Sequence, residues 1–139
     1  MLVDTGAWYA LADRSDRHHQ RARTFYTKEA LSGRLMTTDL VVAESWSLIA
    51  AHLGRPAAIK FWHTLRTARI PILPLDAVDI ESAWHVMQAF PDQDFSCTDC
   101  TSFAIMQRLG VHDAFAFDSH FLVFRFGVRR DRSFQRWPK

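Results

Sequence analysis

Ser96-Cys97-Thr98-Asp99-Cys100-Thr101-Ser102-Phe103-Ala104-Ile105-Met106, followed after a short turn by Ala114-Phe115-Ala116-Phe117-Asp118, decides how the rest of the chain is read. It predicts helix, turn and buried strand, with one carboxylate at the helix start and another at the strand end. Ser96 can cap the helix, and Asp99 falls in its first turn, where negative charge suits the helix dipole. Phe103, Met106 and Leu109 recur at helical spacing and predict the buried face, and Gly110 stands where a helix stop is expected. The Ala-Phe-Ala-Phe run has no polar alternation, which is the pattern of a parallel strand covered by helices on both faces. Ligands of such sheets bind beyond the carboxyl ends of the strands, where Asp118 lies.

Working outward from there, Leu2-Val3 predicts a short first strand ending at Asp4, a second strand-end acid that can also cap the helix over Ala7–Ala12. A polar helix is expected from His18 to Leu31, a strand over Leu35–Thr38, and a helix over Leu40–Leu53 capped by Thr38 or Asp39. That last helix is apolar nearly all round, yet it carries Glu44, and an ionised glutamate is costly to bury unless it is paired or bound to a metal. A helix over Ala57–Ala68 should turn Phe61, Trp62 and Leu65 inward and keep a basic outer face. Ile70–Leu75 is a third strand candidate, which its two prolines demote to an edge or to a shorter strand. The helix from Asp76 to Phe90 is expected to bury Ile80, Ala83, Trp84 and Met87, with Asp79 and Glu81 placed for the helix dipole. Val128-Arg129-Arg130 can add a last edge strand.

Strands alternating with helices imply a doubly wound α/β sheet with helices on both faces, and 139 residues suit one domain over 1–139. With no leader and no long apolar span, membrane insertion is not indicated and the cytoplasm is the expected location. Two cysteines, Cys97 and Cys100, are too few for a disulfide scaffold. Their C-x-x-C spacing is a weak redox signal, because a polar loop precedes it instead of a strand. Zinc is disfavoured too, since no close histidine pair completes a ligand set. Net charge is only +2, but Arg125, Arg129, Arg130, Arg132, Arg136 and Lys139 gather near the end and Arg14, Arg17, Arg21 and Arg23 near the start, groupings that can meet phosphate.

Asp4, Glu44, Asp99 and Asp118 each have a bland explanation alone. Together they fall on one rim of the sheet, where like charges oppose one another's ionisation. A divalent cation resolves that conflict, and carboxylate oxygens favour magnesium or manganese over zinc. Such a site can activate water and neutralise a phosphate oxygen. His120, two residues beyond Asp118, can touch substrate or be structural.

Val3-Asp4-Thr5, the Glu44 helix, the segment from Asp94 through Thr98-Asp99-Cys100 to Phe103, and Phe117-Asp118-Ser119-His120-Phe121 resemble the PIN domain, and more narrowly the VapC toxins of type II toxin-antitoxin systems. The resemblance implies a three-layer α/β/α domain with a central, mostly parallel sheet of four to five short strands. It also implies a magnesium- or manganese-dependent endoribonuclease, commonly a homodimer, restrained by a VapB antitoxin. Asp4, Asp99 and Asp118 match positions that hold metal, Glu44 completes the acid pocket, and Thr5, Asp94 and Thr98 match supporting positions. The closest subgroup carries Arg where this chain has Ser119. Arg129 and Arg130 are expected to grip the RNA backbone without reading bases. Two other functions fit the same residues: an RNA-binding module without catalysis, and a metal-dependent phosphatase of small esters.

Overall fold

The computed structural model describes residues 1–139. Its elements run β1 (Leu2–Val3), α1 (Thr5–Ala12), α2 (His19–Ser32), β2 (Thr37–Thr38), α3 (Asp39–Leu53), α4 (Arg55–Thr67), β3 (Ile72–Leu73), α5 (Ala77–Ala89), α6 (Cys97–Leu109), β4 (Asp113–Phe115), α7 (His120–Val123) and β5 (Gln135–Trp137). β1, β4 and β5 form one parallel sheet, and β2 pairs in parallel with β3. A parallel bridge between Leu2 and Met36 joins the two, with the Val3 N–H donating to the Met36 carbonyl at 2.8 Å. The spatial order is therefore 3-2-1-4-5. In a sheet of that order the chain winds away in opposite directions from β1 and β4, leaving a crevice beyond their carboxyl ends.

Alternating side chains on the two central strands divide the core into two layers. Val3 and Phe115 face one cluster with Ala7, Trp8, Val41, Ile49, Phe61 and Leu65. Leu2, Ala114 and Ala116 face the other, with Cys100, Phe103, Met106, Phe121 and Phe134. Leu2, Val3, Ala114 and Phe115 are fully buried on both faces, which explains the apolar run, while Asp113 at the start of β4 is partly exposed. The second layer is a phenylalanine stack in which Phe103 lies 4.4 Å from Phe124 and 5.2 Å from Phe121.

Several expectations need correction. α5 turns Asp79, Ala83 and Val86 inward, so Ala83 is buried as expected while Ile80, Trp84 and Met87 are exposed. The cause is Asp79, whose carboxylate takes a two-pronged hydrogen bond from Arg108 on α6 at 2.7 and 2.8 Å and sets the rotation of the helix. Trp62 and Leu109 also face outward, whereas Phe61, Leu65, Phe103 and Met106 are buried. Val128-Arg129-Arg130 is a turn, not a strand, with Val128 fully exposed. The last strand is Gln135–Trp137, which pairs in parallel with β4.

Candidate active site

Three acids reach the crevice from different elements. Asp4 follows β1 and caps α1, its Oδ2 accepting from the Gly6 N–H at 3.2 Å. Asp99 sits in the first turn of α6, where a reciprocal cap forms: Ser96 Oγ accepts from the Asp99 N–H and Asp99 Oδ2 accepts from the Ser96 N–H. Asp118 lies just past β4, with Oδ1 accepting from the His120 N–H at 2.9 Å. The capping roles expected for Asp4 and Asp99 are thus real, and they hold each carboxylate in place without consuming all of its oxygens.

His120 links two of these acids. Its Nδ1 lies 2.8 Å from Asp99 Oδ2, while its main-chain N–H holds Asp118. Ligand-type atoms of Asp99, Asp118 and His120 all lie within 4.8 Å of one another. Residue order alone allows His120 to be a substrate contact or a structural residue; the signal for its role here is an Asp two places before it, able to accept its backbone N–H.

Electrostatics ties Asp4 to the same group. Burial, then the charges of Asp118 and Asp99, push its carboxyl up to about 8. Burial and the Asp99 charge also raise Asp118, against the His120 N–H and the positive charge of Arg136. No lysine or arginine forms an ion pair with any of the three acids. Three crowded carboxylates with no lysine or arginine paired directly to them fit a divalent cation, which would offset their repulsion.

Glu44 joins from α3. Its Oε2 accepts from the Thr5 hydroxyl at 2.5 Å, so the residue after Asp4 fixes Glu44 beside the first acid. Thr98 is buried next to Asp99. Asp94 lies exposed in the loop before α6 and makes no side-chain hydrogen bond, so the structure does not bring it into the cluster. Arg129 and Arg130 are exposed in a turn, and the Arg130 guanidinium lies 5.2 Å from the centre of the Phe90 ring. Arg136, grouped in the sequence with that basic tail, instead donates to the Phe117 and Asp118 carbonyls at 3.0 and 2.9 Å and braces the Asp118 turn. Cys100 is buried, and burial together with the Asp99 charge pushes its thiol up to about 11, which leaves it protonated and unreactive.

The family model of the PIN domain matches residues 1–127. The chain belongs to the PIN domain family. Two curated relatives, the 23S rRNA-specific endonuclease VapC20 of two Mycobacterium tuberculosis strains, are 29% identical over 121 residues, covering 87% of this chain and 91% of theirs. A crystal structure of Mycobacterium tuberculosis VapC20, described as a toxin that cleaves the sarcin-ricin loop, superposes with a TM-score of 0.79 at 28% identity, covering 85% of this chain and 89% of that one. PIN domain proteins are metal-dependent nucleases acting on RNA, and VapC toxins are paired with VapB antitoxins. The PIN fold, the endoribonuclease class and the toxin resemblance expected from the residues all stand.

Proposed function

We propose that this PIN domain is the toxin of a VapBC-type pair and that it cuts a structured ribosomal RNA loop of the kind its Mycobacterium tuberculosis relatives are named for. The carrying observation is the crowding of Asp4 against Asp118 and Asp99, in which burial and the neighbouring negative charges push the Asp4 carboxyl upward. Asp4, Asp99 and Asp118 would hold magnesium or manganese, with the imidazole of His120 bonded to Asp99 beside them. A bound cation would activate water and neutralise a phosphate oxygen. Thr5 donates to Glu44 Oε2, which leaves Glu44 Oε1 to accept a hydrogen bond from a water entering the pocket. Asp99 Oδ2 is occupied by Ser96 and His120, so its Oδ1 is left without a hydrogen-bond partner and free to take a cation.

The antitoxin has a natural seat. A cavity of about 660 Å³ between α1, α2 and α4 has an apolar floor that includes Trp8, Tyr26 and Phe61, and a rim that includes Arg14, Arg23 and Lys60. That chemistry suits an amphipathic, acidic segment. The exposed stripe Ile80, Trp84 and Met87, spaced along one face of α5, supports a homodimer formed there. Trp84→Glu should then yield a folded monomer in sedimentation. Residues 1–139 would act as one domain in the cytoplasm, where ribosomal RNA is found. No helix is long and apolar enough to cross a membrane.

Purified protein incubated with ribosomal RNA tests the function. Metal-dependent cutting at one position, blocked by a chelator and lost in Asp118→Asn, is the expected result. Binding without cutting would favour the non-catalytic module, and hydrolysis of small phosphate esters alone would favour the phosphatase.

A further inference from the structure

Between Glu44 and Asp76 the chain carries no acidic residue, while His52, Arg55, Lys60, His63, Arg66 and Arg69 fall in the same stretch. Folded, this segment is most of α3, all of α4 and the short β3. Its outer face holds a shallow depression of about 600 Å³ lined by Trp46, Ile59, Trp62, His63, Arg66 and Thr67. Trp62 is 43% exposed and Ile59 50% exposed. The Trp46 and Trp62 rings meet edge to face at 5.6 Å, and the Arg55 guanidinium sits 5.8 Å from the centre of the Trp46 ring. Neither Arg55 nor Arg66 is engaged in an ion pair.

We propose that this α3–α4 face is a second RNA-binding surface, on which unpaired bases stack against Trp46 and Trp62 while Arg55 and Arg66 meet the phosphates. An exposed indole and a half-buried one beside unpaired guanidinium groups, on a stretch of chain without acids, are the chemistry that single-stranded segments of RNA recognise. An acidic peptide helix would want a longer apolar groove than one isoleucine and two ring edges offer. Trp46 follows Glu44 by two residues and so lies about 200° around α3 from it. The face is therefore turned away from the acid pocket. An RNA has to extend past the helix to touch both, so the surface selects for a cleavage loop embedded in a larger RNA.

The inference rests on RNA being the substrate, and the experiment separates the two. Cleavage by Trp62→Ala, Trp46→Ala and the Arg55→Gln/Arg66→Gln pair is compared on a long ribosomal transcript and on a short hairpin holding the same cut site. Binding to the long transcript is titrated at several salt concentrations. For the tryptophan variants the KM for the long transcript should rise about tenfold, since one stacked base carries roughly that factor, with kcat unchanged and hairpin cleavage at the wild-type rate. Trp62→Phe should restore much of the loss. The arginine pair should flatten the salt slope of binding by roughly 0.7 for each contact removed. Equal loss on hairpin and transcript would mean a folding or active-site effect and overturn the proposal. So would unchanged binding to the transcript, or weakened binding of the antitoxin alone, which would assign the face to a protein partner. If the wild-type protein neither binds nor cuts RNA, the functional reading itself fails first.

Discussion

His120 holds Asp99 with its ring and Asp118 with its backbone: Nδ1 lies 2.8 Å from Asp99 Oδ2, and the main-chain N–H donates to Asp118 Oδ1 at 2.9 Å. One residue thereby fixes the spacing of two acids that approach from α6 and from the end of β4. Groups in this position orient a metal ligand, and their loss typically costs about 10- to 100-fold in metal affinity or activity. His120→Gln should raise the manganese concentration needed for half-maximal cleavage by about that factor, while the metal-free melting temperature changes little. An unchanged manganese requirement would remove His120 from the site's support.

The crowded acids make a prediction about pH. With its carboxyl pushed from the ordinary 3.8 up to about 8 in the fold, Asp4 binds more protons folded than unfolded between those values. Stability of the metal-free protein contributed by this group is then full below pH 3.8 and is lost as pH rises through about 8. Melting temperatures measured with chelator should fall across that range, and Asp4→Asn should flatten the trend and stabilise the protein at its alkaline end. A metal-free protein that grows more stable from pH 6 to 8, with no difference in Asp4→Asn, would contradict the crowding.

At the other end of α6 from Asp99, Arg108 holds the buried Asp79 carboxylate below the usual range. Arg108 is partly exposed, so the direct attraction is screened, but removing it strands a buried acid. Arg108→Ala should cost about 1–3 kcal/mol. The sign with pH is the reverse of that for Asp4: the contribution is present above the ordinary carboxylate range and is lost as pH falls through the lowered folded value. Urea unfolding at neutral and acid pH checks both, since the gap between wild type and variant should close in acid.

Much of this was legible from residue order. The capped start of α6, the buried run before Asp118 and the strand-end position of Asp4 each follow from local rules, and those rules place three acids on one rim. What escaped was set by contacts distant in sequence. Nothing local says that Asp79 will meet Arg108, so apolar spacing points Ile80, Trp84 and Met87 inward together with Ala83, of which only Ala83 is buried. Arg136 read as part of a basic tail until β5 carried it beside the Asp118 turn. Glu44 signalled itself by its apolar neighbours, yet its partner Thr5 lies on another helix.

Asp4, Asp99 and Asp118 are expected to share a divalent cation. Titrating manganese into chelator-treated protein by isothermal calorimetry near neutral pH, in buffers of different ionisation enthalpy, tests it most directly. The wild type should bind manganese and release protons as it does so, because a carboxyl held protonated by its neighbours must ionise to become a ligand. Asp4→Asn should bind far more weakly and release fewer protons. A wild type that gives no heat at millimolar manganese, or an Asp4→Asn variant that binds as tightly with the same proton release, would contradict the claim.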